Sequence, residues 1–120
     1  MQTPPTSQEL EQKWGLQNLN IGFIECNSGW FGLLETFLKE LTPEQRSSVH
    51  QIKEKFGTLR IYGSFEVQEI ARKYEVLSTE ICEISGQPGT LHKSGGWFKT
   101  LSSIEAERLG FVPVSSTRTS

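Results

Sequence analysis

The apolar positions of this chain change their period along its length, and each change marks an element. Trp30, Leu33, Leu34, Phe37, Leu38 and Leu41 recur at i, i+3, i+4, i+7, i+8 and i+11. That is one continuous stripe along a helix, and it predicts a helix over 29–41 with Asn27 or Ser28 as its cap. Thr42-Pro43-Glu44-Gln45 then restarts a short helix. Thr42 is the cap, Pro43 takes the first position, and Gln45 completes a capping box.

From His50 the period drops to two. His50, Ile52, Glu54 and Phe56 share one face, and Gln51, Lys53 and Lys55 the other. Gly57 supplies a turn, after which Leu59 and Ile61 point one way and Thr58, Arg60 and Tyr62 the other. The pattern predicts a hairpin over 50–62. Glu54 on the apolar face needs a partner if buried, and Arg60 or His50 is the expected one. Helical spacing returns at Val67, Ile70, Ala71, Tyr74 and Leu77, a second amphipathic helix over 65–77 capped by Ser64.

Glycine and short runs dominate the rest. Cys82 to Gly86 reads as a tight turn, with Gly86 and Gly89 available for positive φ. Strands at 90–93 and 97–101 flank Ser94-Gly95-Gly96. A helix over 102–109 stops at Gly110, and Phe111 to Val114 returns as an extended end. At the other end, 8–14 suits one or two helical turns closed by Gly15. Ile21, Phe23 and Glu25 alternate as a short extended piece. Residues 1–8 and 115–120 have the composition of disordered ends. The fold class is α+β: two amphipathic helices packed on a hairpin, then a turn, hairpin and helix at 80–110, all in a single domain over 9–114.

Composition narrows the function classes. The net charge is -2, from 12 basic and 14 acidic residues in 120, unlike a protein dominated by non-specific phosphate binding. Every acidic residue is Glu, which lowers the expectation of a two-metal hydrolase, where Asp is the usual ligand. Two cysteines, Cys26 and Cys82, make no disulfide framework. No signature surrounds them, which argues against a Cys–His nucleophilic pair with His50 or His92. Neither a signal peptide nor an apolar run of membrane-spanning length is evident, so the expected setting is cytoplasmic, without a membrane anchor.

Two blocks carry a resemblance. One is Lys53-Glu54-Lys55-Phe56-Gly57-Thr58-Leu59-Arg60-Ile61-Tyr62. The other is Cys82-Glu83-Ile84-Ser85-Gly86-Gln87-Pro88-Gly89 with Gly96-Trp97-Phe98-Lys99-Thr100-Leu101-Ser102. They resemble the KEKFGxLRxY and CExCGxPG…GWxxTLC blocks of a family of small uncharacterised bacterial and phage proteins. Gly29-Trp30 also fits that family. The resemblance implies a treble-clef-like zinc finger at 80–110, but three of its four ligand positions hold the wrong residue type. Ser85 and Ser102 stand for cysteines and Glu105 for a histidine. Serine lacks thiolate softness, so the implied module is metal-free, with Ser102 and Glu105 acting instead as a capping box. No cofactor is expected.

Two functions follow. The first is a non-enzymatic module that binds a host or phage protein. Given the phage association, it takes the form of an anti-CRISPR-like inhibitor of a host defence system that blocks a working surface. Its expected anchors are Lys53, Lys55, Arg60, Lys93, Trp97, Phe98 and Lys99. The alternative is a nucleic-acid-binding module that turns the same cations, with His92, onto phosphates and stacks Trp97 or Phe98 on bases. Against both stands the plain reading of a solvated Lys/Glu strand face with Trp97 in the core.

Overall fold

A computed structural model describes residues 7–14 and 24–114. The disordered ends expected at 1–8 and 115–120, the stop at Gly15, and the alternation at Ile21 and Phe23 lie wholly or mostly outside those residues. The elements run α1 (Ser7–Lys13), a 3-10 turn (Ser28–Trp30), α2 (Phe31–Glu40) and α3 (Pro43–Ser47), then β1 (Gln51–Lys55), β2 (Thr58–Tyr62) and α4 (Phe65–Ser78). After these come β3 (Thr90–Ser94), β4 (Trp97–Leu101), α5 (Ser103–Leu109) and β5 (Val112–Pro113). The protein is α+β, with β1 and β2 forming one antiparallel sheet and β4-β3-β5 another.

The larger core lies between the helices and the first hairpin. Trp30, Leu34, Phe37 and Leu38 of the predicted stripe are buried, as are Ile52, Leu59 and Ile61 of the hairpin. Burying such side chains is worth about 1.5–3 kcal/mol each, which explains why period rather than propensity dominates here. Phe37 and Tyr74 meet edge to face at 5.4 Å, joining α2 to α4. The Tyr74 hydroxyl donates to Glu40 at 2.6 Å. Thr42 and Gln45 complete their reciprocal cap. Arg46 donates to the carbonyls of Leu38 and Leu41, closing the C-terminal end of α2.

A smaller core of Cys82, Leu101 and Ala106 lies under the second hairpin, flanked by Ile84 and Phe111. Gly110 ends α5 in the left-handed conformation, φ 80°, and β5 pairs with β3.

Several expectations change. Asn27 precedes the 3-10 turn but makes no side-chain cap, because its amide is drawn to Glu83. Ser102 accepts from the Glu105 N–H, but the Glu105 carboxylate turns to Arg108 at 2.7 Å, so only half of that capping box forms. Leu77 is exposed and Ser78 is buried in its place. The reason lies in hydrogen bonding. Leu59 and Ile61 direct their N–H groups away from β1, and α4 covers that strand edge. Leu59 N–H donates to the Ser78 hydroxyl at 3.0 Å and Ile61 N–H to the Glu75 carboxylate at 2.9 Å. A buried N–H must find an acceptor, and that demand outweighs the apolar period at the last turn of α4.

Replacing Ser78 with Ala strands the Leu59 N–H. We expect a loss of about 1–3 kcal/mol, read as a lower urea midpoint with an unchanged slope.

Candidate functional site

The two hairpins meet tip to side, and backbone contact fixes the meeting. The Thr100 hydroxyl, buried, donates to the Gly57 carbonyl at 2.8 Å. A Cβ at Gly57 would lie 2.7 Å from Leu91 and 3.4 Å from the Lys99 backbone. On the far side of β4, Glu83 N–H donates to the Thr100 carbonyl at 2.9 Å. Gly29 N–H donates to the Glu83 carbonyl at 2.7 Å, so close that a Cβ at Gly29 would stand 2.3 Å from the carbonyl oxygens of Cys82 and Glu83. The first hairpin, the 3-10 turn ahead of α2 and the Cys82 turn are therefore docked through two glycines: Gly29 leaves no room for a Cβ against backbone, and Gly57, at φ 84°, packs against Leu91.

A buried charge completes the junction. The Glu83 side chain is 1% exposed. One of its oxygens accepts from the backbone and side-chain N–H groups of Asn27, each at 3.1 Å. The other pairs with Lys99 Nζ at 3.1 Å. A buried carboxylate is tolerable when both oxygens are so occupied. Trp30 Nε1 donates to the Ile81 carbonyl at 2.9 Å, tying α2 to the same turn.

Above this junction the hairpin tips bound an open groove of about 240 Å³, lined by Glu54, Lys55, Phe56, Gly96, Trp97 and Phe98. Phe56 was expected on the buried face of β1. Instead the register pairs Lys55 with Thr58, leaving Phe56-Gly57 as a two-residue turn with φ of 54° and 84°. Positive φ at both positions is the signature of a type I′ turn, where Asn-Gly is usual. Phe56 is 66% exposed and Trp97 76%. A bulky residue held left-handed costs on the order of 1–3 kcal/mol, and Phe56 recovers little of that by burial. The Glu54 carboxylate, expected to pair with Arg60 or His50, accepts from the Gly57 N–H at 2.8 Å and braces the turn.

The expected anchors separate into groups. Lys55, Trp97 and Phe98 line the groove, and Lys55 Nζ lies 5.8 Å from the Phe56 ring centre. Lys53 and Arg60 are cross-strand partners on the outer face of the first hairpin, the face Lys55 shares. Glu25 bridges to Lys53 on the other edge of β1. Lys93 is exposed, directly across from Phe98. Lys99 is not available in the same way, being committed to Glu83. His92 is 4% exposed, with Nδ1 2.8 Å from the Thr90 carbonyl, so it leaves the positive surface. Phe56 is the groove residue that sequence reasoning missed. The signal was present: counting the register back from Gly57 puts Phe56 in the turn.

Of the four positions expected to echo metal ligands, Cys82, Ser85 and Ser102 converge and Glu105 turns away. Ser85 N–H lies 3.3 Å from the buried Cys82 Sγ. Burial pushes the Cys82 thiol up, but the Ser85 hydroxyl and the backbone N–H groups of Ser102, Ser85 and Ile84 outweigh it, and the net shift is downward. Among the described residues, no three of His, Cys, Asp and Glu gather as a metal site. Cys26, half-buried, is pushed from 9.0 up to about 12 by burial and by the nearby charges of Glu83 and Glu54.

The chain matches no family model, no curated protein and no solved structure in these comparisons.

The junction and the thiol each generate a test. Lys99→Met leaves the Glu83 carboxylate buried without its cation. We expect a loss of about 3 kcal/mol, discounted for the partly exposed lysine, and substantial recovery when Glu83→Gln is added. Cys26 has a folded pKa above its unfolded one, so the native state holds a proton the unfolded chain releases. Its stabilisation is intact below pH 9 and is lost as pH rises from 9.0 toward about 12. Tyr74, raised from 10.0 to about 12 chiefly by burial, adds to the same limb. Urea midpoints across that range should fall less steeply for Cys26→Val than for the parent.

Proposed function

We propose that the protein is a non-enzymatic protein-binding module whose contact centre is the groove between the hairpin tips. The observation that carries this reading is Phe56, an aromatic held exposed in a conformation that disfavours it, beside the exposed Trp97. Exposed aromatics flanked by cations are the composition of an interface hot spot. The groove is also preset by the braced turn and by the glycine contacts beneath it, which lowers the ordering cost of binding. The turn, hairpin and helix at 80–110 serve, on this reading, as a treble-clef-like scaffold without metal. The phage association of the resembling family suggests a concrete form: a steric inhibitor of a host-defence protein, in the manner of an anti-CRISPR.

The nucleic-acid alternative draws on Lys53, Lys55 and Arg60, which lie together on one face. It is weakened because Lys99 is spent on Glu83 and His92 is buried. Glu54 also lines the groove. The positive face therefore does not run on across the second hairpin, as phosphate tracking requires.

Phe56→Asn and Trp97→Ala separate binding from folding. Phe56→Asn restores the preferred turn pair and should raise stability by roughly 1 kcal/mol, while Trp97→Ala should be nearly neutral. Both should abolish capture of a partner from nuclease-treated bacterial lysate that the parent protein retains. Capture that disappears with nuclease, or that both variants preserve, overturns the assignment.

A further inference from the structure

We infer that the groove takes an extended, acidic segment of the partner protein, with one bulky apolar side chain seated among Phe56, Trp97 and Phe98. The inference rests on the protein-binding reading and specifies the chemistry of the partner.

Charge complementarity is the first argument. The aromatic groove is bracketed by unpaired cations. Lys55 lies in its wall, with Lys53 and Arg60 continuing along the same outer face of the first hairpin. Lys93 stands across from Phe98 on the other side. Among the described residues, none of these four side chains is in a salt bridge, whereas Lys13, Lys73, Lys99, Arg72 and Arg108 all are. The Arg60 side chain does bond to the Thr58 hydroxyl at 3.0 Å, which holds its guanidinium along the strand. Carboxylates are near as well: Glu54 lines the groove while accepting from the Gly57 N–H, Glu25 bridges to Lys53, and Glu75, in a hollow with Arg60, accepts from the Ile61 N–H. Among the described residues none of them is in an ion pair with the four cations. A partner with carboxylates on both sides of an apolar anchor meets cations on both sides of an apolar groove.

The open edge of β4 is the second argument, and it sets the partner's conformation. Thr100 presents its carbonyl away from β3, where Glu83 N–H takes it. Alternation along an antiparallel strand puts the N–H and C=O of Phe98 on that same outer edge. Among the described residues nothing bonds to them. The edge of β2, by contrast, is closed by Ser78 and Glu75. An incoming strand would pair with Phe98 by β-augmentation and drop an alternate side chain into the groove. Beyond Phe98 the Glu83 contact blocks the edge, so the pairing is short and the side-chain anchor carries specificity.

A random dodecapeptide display library selected on the full chain tests this. The expected winners are rich in Asp and Glu around one aromatic or large aliphatic residue. Synthetic winners should lose about tenfold or more in affinity on Phe56→Asn and on Trp97→Ala, as anchor contacts do. They should weaken steeply with salt on the parent and less so on Lys53→Glu/Lys93→Glu. N-methylating the backbone next to the anchor should weaken them while leaving their charge intact. Winners without acidic enrichment, winners indifferent to these substitutions, or no winners at all overturn the inference. If lysate capture still depends on Trp97 in that case, the protein-binding reading survives and only the acidic, extended partner is lost. Preferential binding of a single-stranded oligothymidine to the same groove overturns both.

Discussion

The buried carboxylate of Glu83 is the constraint on which the arrangement of parts depends. It receives the start of α2 through Asn27 and the second hairpin through Lys99, while its own backbone joins β4 to the glycine at position 29. A charge buried this deeply tolerates little variation in partner position. It therefore acts as a register pin between two halves whose apolar cores are separate clusters. Apolar burial alone would let such halves slide. The fixed carboxylate and the glycine contacts at 29 and 57 do not.

The groove is a product of that pin. Phe56 comes from one sheet, Trp97 and Phe98 from the other, and no local signal brings them together. The turn that displays Phe56 is braced from below by Glu54, and the Thr100 hydroxyl holds the carbonyl of the next residue. Each bond lies at the boundary between the sheets, so the shape of the groove and the docking of the hairpins are one property. A destabilised junction would blur the groove before either hairpin unfolded.

Much of the fold was legible because its elements bury one face each. The stripe from Trp30 to Leu41, the alternation through Ile52, Leu59 and Ile61, and the caps at Thr42 and Ser64 all express local rules. Failures occurred where a polar demand or the geometry of a turn outranked a local pattern. Ser78 displaced Leu77 because a strand edge needed an acceptor. Asn27 left its capping role for Glu83. Phe56 left the core face because a two-residue turn consumes two positions of the alternation. Of the candidate site, the cations, Trp97 and Phe98 were visible as one set of expected anchors, but the place of Phe56 beside them and the commitment of Lys99 to Glu83 were not. Lys93 and Lys99 fall on opposite faces of the second hairpin, but nothing local tells that Glu83 waits beside Lys99 as an internal counter-ion while Lys93 faces solvent.

The closing of the β2 edge by Ser78 and Glu75 also shapes the motions of the molecule. Because those acceptors belong to a helix, the amides of Leu59 and Ile61 can exchange with solvent only when α4 lifts away. The helix and the first hairpin thus open as one cooperative unit. Among the described residues the outer edge of β4 at Phe98 has no such partner, so its exchange does not wait on α4. One sheet edge is in this sense tied to the docking of a helix, and the other is not.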